Sequence, residues 1–180
     1  MNWTPVVAAV AATCLQACQA PPPRSATAAA AGQAHREARP FDPARSDALY
    51  RQVHDAALAG LATEGAPAKA LVVFGANWCH DSRALAGWLL DPGHADSIAA
   101  NFTVVFIDVA IPQQGKGRNR DLLGRYGLAD LRSTPAVVVV DKAGRRLNAI
   151  DDAMAWCNSA SRDDAEIAAV MRRYSALDTD

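Results

Sequence analysis

The chain has 180 residues, 51% of them apolar and 21% charged, enough for one domain with a real core. A formal net charge of −1 excludes the strongly basic surface of a nucleic-acid binder. The composition is otherwise that of an ordinary soluble globular protein.

The first residues read as an address. Val6 to Leu15 is an apolar run too short to cross a bilayer as a helix, and it fits the core of a secretory signal. Leu15-Gln16-Ala17-Cys18 resembles a bacterial lipobox, which implies lipidation of Cys18 as the mature N-terminus. Met1 to Pro5 lacks Lys and Arg, and Gln16 is not a favoured lipobox residue, so an ordinary signal cut after Ala20 is the alternative. Gln19 to Pro40, rich in Ala and Pro, reads as a flexible tether. The expected organisation is a signal over 1–18, a tether over 19–40 and one folded domain over 41–180. The expected location is the periplasm, with a lipid anchor on a bacterial membrane. Of four cysteines, Cys14 leaves with the signal and Cys18 leaves or carries lipid. Cys79 and Cys157 remain, and an oxidising compartment invites them to pair.

Order is expected to begin near Phe41 to Asp47. Leu49, Val53, Ala56, Ala57 and Leu61 recur at helical spacing, ended by Gly65 and Pro67. Ala70 to Gly75 is a buried strand, apolar throughout. Trp78-Cys79-His80-Asp81-Ser82 follows at the turn, and Leu85, Trp88 and Leu89 mark a helix face after it. Asp91-Pro92-Gly93 interrupts that helix, with a further helical turn at Asp96 to Ala100. Phe102 to Val109 is a second strand, Pro112, Gly115 and Gly117 form a loop, and Asn119 to Tyr126 is a short helix capped by Gly127. Ala136 to Asp141 is a third strand, and Lys142-Ala143-Gly144 turns into a fourth at Arg146 to Ile150. Ser161 to Asp164 signals the last helix, with Ile167, Val170, Met171, Tyr174 and Leu177 on its apolar face. Strands separated by helices predict parallel pairing, and the short turn predicts an antiparallel hairpin. The fold class is α/β: a central mixed β-sheet flanked by helices on both faces.

A cysteine at a strand-to-helix turn meets free backbone N–H groups and the positive end of the helix dipole, which stabilise a thiolate, the form that attacks disulfides. Cys79 is therefore the candidate nucleophile, set against a half-buried thiol kept for packing. His80 offers a positive charge and Asp81 a negative one. Ser82 occupies the place of a resolving thiol. It can donate a hydrogen bond to a thiolate but cannot break a mixed disulfide; a plain helix-start role is the compatible alternative. Consecutive Cys-His-Asp residues seldom converge as a triad, and His94 stands alone, so no metal and no cofactor are expected. Gly115-Lys116-Gly117 lacks the flanking residues of a phosphate loop. In the family that Trp78-Cys79-x-x-Ser82 and Ser133-Thr134-Pro135 resemble, the third strand starts beside the active-site end of the sheet and runs away, and the hairpin brings the chain back. Asp151 to Ala160 therefore lies at that end as a polar, mobile loop, and its Cys157 is either a resolving cysteine or a buried neighbour of Trp156.

Trp78-Cys79-x-x-Ser82, Ser133-Thr134-Pro135 and the turn at Lys142 to Gly144 together resemble the thioredoxin-like family over Asp47 to Leu177. The resemblance implies a thioredoxin-like fold, a cis Thr134–Pro135 bond beside Cys79, and substrate contacts at Trp78 and Thr134. Ser82 departs from the family's second cysteine, Val73 from its buried acid, and the insert before Asn119 is longer. The expected function is a monothiol thiol–disulfide oxidoreductase or isomerase acting through Cys79, with Ser82, His80 and Pro135 in its site. The alternative is a redox-inactive peptide- or protein-binding module. Expected partners are protein or small-molecule thiols and disulfides, with a membrane met only through the lipid anchor. No nucleic acid is expected, and the chain is expected to be a monomer.

Overall fold

A computed structural model describes residues 37–179. The signal, Cys14, Cys18 and most of the expected tether lie outside the described residues. The described elements are α1 (Asp47–Gly60), β1 (Lys69–Gly75), α2 (His80–Leu89), α3 (Pro92–Asn101), β2 (Phe102–Asp108), β3 (Ala110–Ile111), β4 (Lys116–Gly117), α4 (Arg120–Arg125), β5 (Ala136–Asp141), α5 (Ile150–Met154) and α6 (Asp164–Ser175).

The main sheet has the order β2-β1-β5. β1 runs parallel to β2, with Gly75 opposite Asp108, and antiparallel to β5, with Phe74 opposite Ala136. The mixed sheet is as expected. The rule that helix-separated strands pair in parallel holds only for β1 and β2, because β5 adds to the other side of β1 and reverses. That reversal puts Pro135 level with the end of β1.

Successive strand residues point to opposite faces. Ala70, Val72 and Phe74 face one cluster with Tyr50 of α1, Leu122 and Leu123 of α4, and Tyr126. Leu71 and Val73 face the other, with Leu85, Trp88 and Leu89 of α2, Ile98 of α3, and Ile167, Met171 and Tyr174 of α6. Val73, where thioredoxins carry an acid, is thus pure core.

Several expectations change. Asp91 caps a full helix, α3, whose first residue is Pro92, so the proline starts a helix rather than only interrupting one. The loop at 110–117 contains a small β3–β4 hairpin around a 3₁₀ turn. The fourth strand is reduced to one bridge, Val140 to Arg146. The Asn148 side chain takes over the strand's hydrogen bonds: its Oδ1 accepts from the Val139 N–H at 3.0 Å and its Nδ2 donates to the Val137 carbonyl at 3.0 Å. The last helix is capped by Asp163 in a capping box with Glu166, not by Ser161, which lies in a 3₁₀ turn. The expected mobile loop at 151–160 is held structure. It carries α5, then Trp156 buried with its Nε1 donating to the Tyr174 hydroxyl at 3.2 Å, then a 3₁₀ turn over Ser159–Ser161.

His54 is fully buried on α1. Its Nδ1–H faces the Asp55 carboxylate at 2.8 Å, which leaves Nε2 to accept from the Tyr126 hydroxyl at 2.5 Å. Burial lowers the pKa of His54 below its ordinary 6.5 and pushes Tyr126 up to about 12. Below pH 6.5 the unfolded chain therefore takes up a proton that the folded chain refuses, and stability falls as pH falls toward the depressed folded value. Denaturant melts are expected to show a lower midpoint at pH 5.0 than at pH 7.5. His54→Gln should flatten that difference at the cost of lower stability at pH 7.5. An unchanged pH slope in the variant would contradict the assignment.

Candidate active site

Cys79 is the N-cap of α2, and its side chain makes no capping bond. The first-turn N–H groups beside the sulfur are therefore not taken by a side-chain cap. The thiol is 8% exposed, and its Sγ donates to the Thr134 carbonyl at 3.2 Å. Thr134–Pro135 is cis. The end of β1, the start of α2 and the start of β5 thus meet at one sulfur, and Cys79, Thr134 and Pro135 come together.

Two buried hydroxyls border this sulfur's residues and have no hydrogen-bond partner: Ser82 Oγ and Thr134 Oγ1. A buried polar group without a partner costs about 1–3 kcal/mol. Ser82 is 0% exposed and sits at the third helical position, not at the cap. Its hydroxyl makes no bond to Cys79. The Phe41 ring and the Ser82 hydroxyl both close on Gly75: a Cβ built there would come within 2.6 Å of Phe41 Cζ and 2.9 Å of Ser82 Oγ. Only glycine at position 75 leaves room for both.

His80 has Glu37 as its partner. Its imidazole is 67% exposed, and Nδ1 contacts Glu37 Oε1 at 2.7 Å. Glu37 also accepts from Arg83 Nε at 2.6 Å, and Arg83 holds the carboxyl of Glu37 below the usual carboxylate range. Ala38 N–H donates to the Arg83 carbonyl at 3.0 Å, and the Asn77 side chain bonds both the N–H and the carbonyl of Phe41. Residues 37–41 therefore strap the active-site helix, so the fold begins before the expected tether end at Pro40. The sequence reading missed Glu37 because a lone acid in an Ala- and Pro-rich stretch carries no periodic signal.

Asp81 turns away from the sulfur and accepts from the Ala160 N–H at 2.9 Å. This bond docks the segment carrying Cys157 on the first turn of α2. Cys157 is partly buried, and neither it nor Cys79 is in a disulfide. The Asp81–Ala160 bond puts this segment at the start of α2, and buried Trp156 and Ser159 fix it rather than leave it loose.

Trp78 is 49% exposed beside Cys79, and its Nε1 donates to the Ala110 carbonyl at 2.8 Å. Ala110 has a left-handed φ of 51°, a strained choice for a residue with a side chain. The insert is anchored at its far end by Arg118, which donates to Asp47 at 2.8 Å and to the Pro43 carbonyl at 2.8 Å. Among the described residues, no three His, Cys, Asp or Glu side chains gather as a metal site, and no helix is long and apolar enough to cross a membrane.

The site can therefore expose one sulfur next to a peptide carbonyl, a proline and an exposed indole, with no second cysteine one turn along. The Thioredoxin-like family model matches residues 50–142. The crystal structure of a disulphide isomerase from Xylella fastidiosa Temecula1 is 32% identical, with a TM-score of 0.62. That match covers 76% of this chain and 96% of the other. Among curated proteins nothing matches.

Proposed function

The chain belongs to the thioredoxin-like family, and on that footing we propose that it is a monothiol thiol–disulfide oxidoreductase or isomerase acting through Cys79. One observation carries the reading: Cys79 caps α2 with its sulfur 3.2 Å from the carbonyl of a cis Thr134–Pro135 step. The solved disulphide isomerase is consistent with exchange chemistry on protein substrates.

In this reading the Cys79 thiolate attacks a substrate disulfide. A sulfur–sulfur bond to Cys79 forms, the substrate's own bond breaks, and the departing thiolate takes a proton from water. The unpartnered Ser82 hydroxyl gains an acceptor when the sulfur ionises. Pro135, which has no N–H, and Thr134 line the approach, and Trp78 offers an apolar platform. His80 and its Glu37 partner sit at the rim. An external thiol, or Cys157 held at the first turn of α2 by the Asp81 bond, then releases the substrate. The lipobox-like Cys18 and the apolar run before it support a periplasmic, membrane-anchored setting.

The test is the capture of intermediates. The full-length chain expressed in a bacterial host, quenched in acid and alkylated, is expected to carry other proteins as mixed disulfides on Cys79. Cys157→Ser should lengthen their lifetime several-fold if Cys157 resolves them, and leave it unchanged if only external thiols do. Capture that is absent from the parent, or that persists in Cys79→Ala, would contradict the reading and favour a binding module.

A further inference from the structure

A cleft of about 130 Å³ opens between the insert at 110–117 and the chain leading to Pro135. Pro112, Gly115, Gly117, Leu131, Arg120 and Arg132 line it. Both walls connect to the nucleophile. Gly117 pairs with Ala110, whose carbonyl holds the Trp78 indole. Arg132 lies two residues before Thr134, whose carbonyl holds the Cys79 thiol, so their Cα atoms are at most about 7 Å apart.

Carboxylate partners are unevenly spread over the described arginines, and Arg39, Arg45, Arg146, Arg162 and Arg172 have none. Arg51, Arg83, Arg118, Arg125, Arg145 and Arg173 each have a carboxylate partner. Among the described residues, Arg120 and Arg132, both exposed, have no carboxylate partner, nor does Lys116, which sits between the two cleft glycines. Asp130 is the one carboxylate in the lining, and it makes no ion pair with them. The two lining arginines, with Lys116 between the cleft glycines, against one acid leave a local excess of positive charge at this cleft. An exposed cation far from any partner contributes little to stability, but it attracts an anion of the right reach.

We propose that Arg120 and Arg132, supported by Lys116, form a subsite for carboxylates flanking the disulfide that Cys79 attacks. The proposal deepens the function given above and rests on it. The shared ligand chemistry is a disulfide with carboxylate groups a few bonds from sulfur, supplied by a small acidic peptide thiol or by acidic side chains of a protein. Guanidinium groups suit such a ligand because they meet a carboxylate with two parallel hydrogen bonds. The chemical step is unchanged: the Cys79 thiolate bonds one sulfur, the other leaves as a thiolate and is protonated by water, and electrons move only between sulfurs.

The experiment measures exchange at Cys79 by peptide mass spectrometry in the full-length chain. The probes are 5,5′-dithiobis(2-nitrobenzoate), which carries two carboxylates, and neutral 2,2′-dithiodipyridine. The ratio of the two rates is expected to fall about tenfold in Arg120→Ala/Arg132→Ala, with the neutral rate kept. Arg120→Lys/Arg132→Lys should retain most of the ratio, and raising the salt should lower the parent's ratio toward that of the alanine variant. Oxidised glutathione and a cystine peptide flanked by aspartates then separate the sources: the arm whose rate drops in the alanine variant names the ligand. A ratio unchanged by the alanine substitutions, with normal neutral exchange, overturns the subsite alone. Failure of both probes to react with the folded parent overturns the thiol chemistry itself, and the subsite with it.

Discussion

Ser82→Cys is expected to turn a monothiol protein into a working dithiol, raising turnover of a protein disulfide by about tenfold or more in the presence of an external reductant. Positions 79 and 82 stand one helical turn apart, where side chains three apart face each other at about 5–6 Å between Cβ atoms. A modest closing movement reaches disulfide geometry. A thiol at position 82 attacks the Cys79 mixed disulfide from within the molecule, at a high effective concentration, instead of waiting for an external thiol. The same substitution should cost stability. The hydroxyl it replaces is fully buried close to Gly75, and although its loss removes a buried polar atom without a partner, the larger sulfur must find room there. Overpacking of this kind costs about 1–3 kcal/mol, read as a lower melting midpoint. Phe41→Leu added to the variant should recover part of that loss by making room. Turnover that stays at the parent level in a folded variant would mean that the core valine at position 73, or the strap beside position 82, blocks proton transfer or access.

The apolar strands were legible because their signal is local. Leu71 to Phe74 and Val137 to Val140 are unbroken apolar runs, and both are fully buried, the first on the central strand and the second on its outer neighbour. The Trp78-Cys79 turn and the Thr134–Pro135 step were legible as a pair only through the family resemblance, because alternation of elements alone predicts a parallel β5, which would start at the far end of the sheet. The strap was not legible. It exists because Glu37, Ala38 and Phe41 find partners 36 to 46 residues away on the start of α2, and no local pattern records such pairing. The fourth strand failed for a related reason. Asn148 satisfies the edge of β5 with its side chain, so the backbone there never needs strand geometry. Asp163 displaced Ser161 as the helix cap because Glu166 stands three residues after the former and completes the reciprocal bond. The polar composition of 151–160 suggested mobility, yet Trp156 in the core and the Asp81 bond fix the segment.

The central claim is that the fold activates Cys79 rather than merely packing it. The two possibilities predict opposite effects of unfolding. A thiol only 8% exposed and kept for packing reacts through local opening, so folding slows it. A thiol presented at the N-terminus of α2, beside first-turn N–H groups and the Thr134–Pro135 step, reacts faster in the fold than in a loose chain. The measurement is the rate of exchange between Cys79 and neutral 2,2′-dithiodipyridine at pH 7, read at Cys79 by mass spectrometry, in the folded full-length chain and in the same chain unfolded by denaturant. The account predicts that the folded chain reacts about tenfold faster or more. Slower exchange in the folded chain than in the unfolded one would contradict it, and would identify Cys79 as a packed thiol in a thioredoxin-like binding domain.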